Sequence, residues 1–117
     1  MSSHEKINYI EFPATDITAT KAFYANTFAW QFTDYGPDYS AFNDGTINGG
    51  FYKHNAISSY EKGGALIVLY SNYLEETAAK VLNNSGVIVK PIFAFPGGRR
   101  FHFTDPSGNE LAVWSDK

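Results

Sequence analysis

In the C-terminal stretch RRFHFTDPSGNELAVWSD, residues 99–116, His102 and Glu110 sit on the two arms of a tight turn. An imidazole and a carboxylate brought together can ligate a metal ion or move a proton, because histidine changes charge near neutral pH. Glu11, on an early apolar run, is a second candidate acid or base, and Arg100 is a cation that could hold an anion. The plainer alternative pairs Glu11 with Arg100 simply to satisfy two buried groups. Two ligands without a third rarely hold zinc or iron. His4, His54 and His102 lack the short spacings that put two imidazoles on one face, so His102 reads first as a pocket-wall or cross-strand residue.

The turn between the two arms is strongly specified. Asp105 can bond its own backbone, Pro106 presets φ and Gly108 accepts a positive one. Asp105 is therefore read as a structural cap with no catalytic role. With a loop from Asp105 to Asn109, alternation puts Phe101, Phe103, Leu111 and Val113 on one apolar face, destined to lie under a helix. Arg100, His102, Thr104, Glu110, Ala112 and Trp114 share the other face, with Ala112 opposite His102 and leaving room beside it. Gly97-Gly98-Arg99-Arg100 lacks the phosphate-loop pattern and reads as a hairpin connection, with Arg100 open to an anionic ligand.

The elements that must position these residues follow from periodicity. Residues 7–13 read as a strand, and Thr15-Asp16 as the cap of a helix of about 12 to 14 residues carrying Ile17, Thr20, Phe23, Tyr24, Thr27 and Phe28 on one stripe. QFTDYG, YSAFN and INGGFYK then read as three short strands separated by turn signals, and Gly49-Gly50 as a bulge or close backbone approach. ALIVLYS, residues 65–71, restarts the plan. Asn72 with Glu75 resembles a capping box for a second helix with Leu74, Ala78, Val81 and Leu82 inward, ending near Gly86. VIVKPIFAF, RRFHFT and ELAVWS complete it. An offset of 57 lays Ile17 on Leu74, and one of 61 lays Phe42-Asn43-Asp44 on Phe103-Thr104-Asp105, a diverged internal duplication. The seam, about residues 55–64, is too short to separate independent domains.

Composition bounds the function. The chain has 117 residues, 44% hydrophobic and 17% aromatic, the size of one domain able to bury roughly two thirds of its unfolded surface. Nine Lys and Arg against twelve Asp and Glu, with no basic stripe, argue against a nucleic-acid partner. No run reaches the ~18 apolar residues of a membrane span. The start MSSHEKINYIEF has no secretory pattern, which makes a cytoplasmic location the default expectation. With no cysteine, thiolate zinc sites, disulfides and thiol nucleophiles are excluded.

The doubled strand, helix, three-strand plan, the segment ITATKAFYANTFAWQF and the ending FTDPSGNELAVW resemble the vicinal oxygen chelate superfamily of glyoxalases, bleomycin-resistance proteins and extradiol dioxygenases. The resemblance implies an α+β fold: two tandem βαβββ modules, about 5–54 and 64–115 within one glyoxalase-like domain (1–117), forming an eight-stranded open cup with helices outside. It also implies up to four metal ligands on the inner wall, which fall by counting at Tyr9, Phe51, Leu66 and Ala112. Leu, Phe and Ala cannot coordinate, and a lone tyrosine cannot hold a divalent ion. The resemblance therefore implies a protein with no metal and no cofactor.

The expected function is binding of a small organic molecule, of the bleomycin-resistance type. The expected lining is Tyr9, Glu11, Leu66, Val68, Tyr70, Arg100, His102, Ala112 and Trp114. The alternative is a lyase, isomerase or dioxygenase-like enzyme, metal-dependent or using Glu11 or His102 as base. By resemblance a homodimer is expected, with no nucleic-acid or membrane partner.

Overall fold

The structure, a computed structural model, describes residues 2–117. Its order of elements is β1 (Tyr9–Ala14), α1 (Ile17–Phe28), β2 (Gln31–Asp34), β3 (Tyr39–Asn43), β4 (Asn48–Lys53), β5 (Val68–Tyr70), α2 (Leu74–Asn83), β6 (Val87–Phe95), β7 (Gly98–Thr104) and β8 (Glu110–Ser115). The fold is α+β, with two βαβββ modules each contributing a mixed four-stranded sheet. The strand orders are β1-β4-β3-β2 and β5-β8-β7-β6, with the first strand of each module parallel to its last.

The two helices start differently. Asp16 caps α1 by accepting from the Ala19 amide at 2.9 Å. The second helix has Tyr73 at its N-cap with no side-chain cap, so the expected capping box of Asn72 and Glu75 does not form. Ser71 takes over locally, its Oγ accepting from the Tyr73 amide at 2.9 Å and bonding Thr77 Oγ1 at 2.7 Å. Leu74 and Val81 are buried as expected, but Leu82 faces out at 57% exposure because Thr77 completes the inward stripe. The run ALIVLYS forms a strand only over Val68–Tyr70.

One core runs through both modules, and α1 is its centre. Tyr24 stacks on Trp30 at 4.3 Å and on Phe51 at 5.4 Å from the first sheet, while Phe23 meets Phe103 of the second at 5.7 Å. Phe101, Phe103, Leu111 and Val113 are fully buried against the helices, as their alternation predicts.

The Asp105–Asn109 turn closes on this centre. Asp105 Oδ1 accepts from the amides of Ser107 (2.9 Å) and Asn109 (3.1 Å), and Oδ2 accepts from the Tyr24 hydroxyl at 2.9 Å. Asn109 Nδ2 donates to the Pro13 carbonyl (2.7 Å), its Oδ1 accepts from the Ser58 amide (2.9 Å), and Ser107 Oγ bonds Thr20 Oγ1 (2.7 Å). The turn read as a local cap thus also fastens the second hairpin to α1, to β1 and to the seam. Burial raises the Asp105 carboxyl above its ordinary value against the pull of these donors. Burial, with the Asp105 charge beside it, raises the Tyr24 hydroxyl well above its own.

Candidate functional site

Each sheet turns one face to the helices, and the sequence-predicted residues divide between the two faces turned away from them. On the second sheet, Cα partnership places His102 opposite Ala112, Arg100 opposite Trp114, Val68 opposite Ala112 and Tyr70 opposite Trp114. Arg100, His102, Ala112, Trp114, Val68 and Tyr70 therefore share one surface, as alternation predicts. Leu66 lies half-buried just before β5. On the first sheet, Tyr9 and Glu11 lie opposite Asn48 and Gly50.

Glu11 and Arg100 do not pair. Tyr39 donates to Glu11 Oε2 at 2.8 Å, and its oxygen lies 2.7 Å from the Tyr9 hydroxyl. Gly50 permits this chain, since a Cβ there would stand 2.0 Å from the Tyr39 hydroxyl oxygen. Burial, reinforced by Tyr9 and Glu11, pushes the Tyr39 phenol far above its ordinary range, so it stays a donor at neutral pH. Beside the chain is a cleft of about 460 Å³ bounded by Tyr9, Gln31, Thr33, Tyr35, Asn43 and Asn48, a neutral hydrogen-bonding floor.

The face of the second sheet has a different chemistry. His102 is fully buried; its Nδ1 lies 2.8 Å from Glu110 Oε2, and its Nε2 has no hydrogen-bond partner among the described residues. Rings enclose it, with Tyr60 from the seam at 5.4 Å and Phe93 at 5.9 Å. A carboxylate on one nitrogen with the other left free is the arrangement that orients an imidazole for accepting or donating a proton. Arg100 lies over Phe93 at 5.4 Å and Phe95 at 5.7 Å, and its Nε is buried without a partner. Trp114 meets Tyr70 at 5.2 Å, and the Tyr70 hydroxyl donates to Asp116.

The sequence reading missed Tyr39, Tyr60, Lys90, Phe93 and Phe95. Tyr39 was legible, because the parity of YSAFN puts it on the face opposite Phe42. Lys90, Phe93 and Phe95 were not, because β6 carries two register irregularities, between Ile88 and Lys90 and between Lys90 and Phe93, which break the alternation. Tyr60 belongs to a segment without periodicity.

The inner-wall positions require one correction. Phe51 does not face the open side; it is fully buried, stacked on Phe12 at 5.5 Å and on Tyr24. The turn of the first module runs from Asp44 to Ile47, whereas that of the second runs from Asp105 to Asn109, one residue longer. Counting equal distances from each aspartate therefore overshoots by one, and Gly50 is the counterpart of Ala112. Gly50, Leu66 and Ala112 carry no donor side chain, so the wall does not fit a metal ion. No group of three or more His, Cys, Asp or Glu that could hold one occurs among the described residues.

Comparison with known proteins agrees with this architecture. Residues 6–113 match the Glyoxalase/Bleomycin resistance protein/Dioxygenase superfamily, and the chain belongs to it. No protein of curated function matches the sequence. Among solved structures, a fosfomycin resistance protein, FosX, from Listeria monocytogenes superimposes with a TM-score of 0.79 at 17% identity, covering 98% of this chain and 94% of its own. A glyoxalase/bleomycin resistance protein/dioxygenase family enzyme from Burkholderia phytofirmans gives 0.78 at 17%, covering 94% and 98%. Lactoylglutathione lyase from Agrobacterium tumefaciens gives 0.73 at 17%, covering 97% and 96%. At such identities the likeness is one of fold.

Proposed function

We propose that this member of the superfamily binds a small organic molecule on the open faces of its two sheets and does so without a metal ion. Tyr9 and Glu11 contribute from the first sheet, and Leu66, Val68, Tyr70, Arg100, His102, Ala112 and Trp114 from the second. The observation that carries the reading is the inner wall itself: three of its four positions, Gly50, Leu66 and Ala112, offer nothing to an ion. Ala112 faces a buried His102, and next along the same face is Arg100, whose Nε has no partner among the described residues. Small side chains flanked by a few polar groups suit an organic ligand better than an ion.

Equilibrium dialysis against Zn²⁺, Mn²⁺, Fe²⁺ and Ni²⁺, followed by elemental analysis, tests this. The expected outcome is no stoichiometric uptake, and about one ion per chain would overturn it. A thermal-shift screen of metabolites and antibiotics then seeks the ligand, which raises the melting temperature by mass action.

The His102–Glu110 contact favours a second reading, a metal-free enzyme in which His102 acts as base. For a ligand found by the screen, His102→Ala would then abolish turnover while leaving binding largely intact. In either reading we place the protein in the cytoplasm as a homodimer with no nucleic-acid or membrane partner; none of its helices among the described residues is long and apolar enough to cross a membrane. The dimer is supported by the unpaired edges of β1 and β5, where Tyr9, Val68 and Tyr70 are exposed beside an apolar groove of about 470 Å³ that includes Ile10, Phe12, Ile67 and Leu69. Light scattering at several concentrations checks it.

A further inference from the structure

We propose that the ligand of the second sheet is a planar aromatic anion, an aryl carboxylate in the simplest case, held by a row of alternating rings and cations. This deepens the reading that the open face of that sheet is a binding surface, and rests on it.

The row crosses the sheet from the seam to β8. Lys90 Nζ stands 5.7 Å from the Tyr60 ring and 5.9 Å from Phe93; the Arg100 guanidinium stands 5.4 Å from Phe93 and 5.7 Å from Phe95; Phe95 reaches Trp114 at 6.3 Å. A cation over an aromatic face is attracted by the ring quadrupole and held in place by it. A guanidinium so held still presents N–H groups in its own plane, the geometry that grips a carboxylate on two prongs.

Two features call for a negative charge. Neither Lys90 nor Arg100 has a carboxylate within ion-pair distance among the described residues, because Glu110 is engaged by His102 and Glu75 by Arg99. The Nε of Arg100, an obligatory donor, is also buried without a partner among the described residues. An unpartnered buried donor is costly, and an anion that accepts from the Arg100 Nε–H removes that cost.

Rings on both sides of each cation call for a flat π-system, since offset or edge contacts between aromatic groups exceed what their buried area alone supplies. A cleft of about 380 Å³ bounded by Tyr60, Glu61, Val89, Lys90 and Glu110 adjoins the row, within the roughly 300–1,000 Å³ usual for small-molecule sites. Its two glutamates repel a carboxylate. That orients the ligand with its ring toward Tyr60 and its anionic end toward Arg100.

The test is calorimetric titration of the intact protein with naphthalene-2-carboxylate, naphthalene-2-carboxamide and cyclohexanecarboxylate, with the Trp114 indole and His102 ring signals followed by NMR. The aryl carboxylate should bind about tenfold or more tightly than either control, which lack respectively the charge and the ring. Arg100→Gln should weaken it by about tenfold without changing the carboxamide, and Arg100→Lys should recover part of the loss. Absence of naphthoate binding, affinity equal to that of the carboxamide, or an unchanged affinity in Arg100→Gln would each overturn the proposal. A neutral compound that binds in place of the anion and moves the Trp114 and His102 signals would overturn the anionic class while sustaining the binding face. Stabilising compounds that leave both signals unmoved would remove the face as well.

Discussion

Replacing Asp105 by alanine is the sharpest test of how the two modules are held together. The carboxylate accepts from four donors: the Ser107 and Asn109 amides, the Asn109 side-chain amide and the Tyr24 hydroxyl. All lie in a buried region, Asp105 itself being 4% exposed. A buried donor left without a partner costs about 1–3 kcal/mol. Asn109 Nδ2 keeps the Pro13 carbonyl, so three donors are orphaned; at the lower end they total about 3 kcal/mol, a large share of the ~5–15 kcal/mol by which a domain is stable. At roughly 4 °C per kcal/mol for a chain of this size, the melting temperature of Asp105→Ala should fall by about 12 °C. Tyr24→Phe deletes one donor and should cost about 1.5–3 kcal/mol. The two changes share one bond, so urea unfolding of the double variant should show less than additive loss, by about 1 kcal/mol or more. Additivity within about 0.5 kcal/mol would refute the direct bond between α1 and the second hairpin on which the reasoning rests.

Further outcomes follow from single residues. Gly50→Ala would place a methyl carbon where the Tyr39 oxygen lies, so Tyr39 must leave Glu11 and Tyr9; loss of about 1–3 kcal/mol and a changed tyrosine ultraviolet difference spectrum are expected. Ser85 holds a left-handed φ of 78° just beyond α2 and is exposed, so Ser85→Gly should raise stability by about 0.5–1 kcal/mol in thermal unfolding. The two turn aspartates should respond to pH with opposite signs. At Asp44, partial burial opposes ionisation, yet donors from Ile47 and Thr46 hold the carboxyl below 3.8, so its stabilisation is present above 3.8 and disappears as pH falls through the lowered value. At Asp105 burial wins and the carboxyl is raised, so its contribution is present below 3.8 and disappears as pH rises through the raised value. Melting curves of Asp44→Asn and Asp105→Asn from about pH 2 to 7 should each lose one of these slopes; loss of the same slope in both would contradict the assignment.

The order of elements and the doubled plan were legible because amphipathic spacing reports burial directly: Phe23 and Tyr24 on α1, and Phe101, Phe103, Leu111 and Val113 on the last hairpin, point where their periods say. Helix starts were legible only where a side chain does the capping, which is why Asp16 was found and the Tyr73 start was mistaken for a capping box. The site was half legible. Residues on regular strands, such as Arg100, His102, Ala112 and Trp114, keep the parity of their neighbours, whereas Lys90, Phe93 and Phe95 sit on a strand whose irregularities reset parity twice. Tyr60 reaches His102 through a fold of the seam that no local pattern encodes.

The inner wall shows how much a single residue of turn length decides. Counting from Asp44 puts a phenylalanine at the fourth wall position, and a bulky ring there would close the open face of the first sheet. The shorter turn moves Phe51 into the core, where it stacks on Tyr24, and puts Gly50 on the wall. The exchange changes the chemistry of the site, because only a residue without a side chain lets Tyr39 lie across β4 to reach Glu11. In the second module the equivalent place is Ala112, fully buried opposite the fully buried His102. The two modules thus use small residues at matching wall positions, one beneath a tyrosine hydroxyl and the other opposite a buried imidazole.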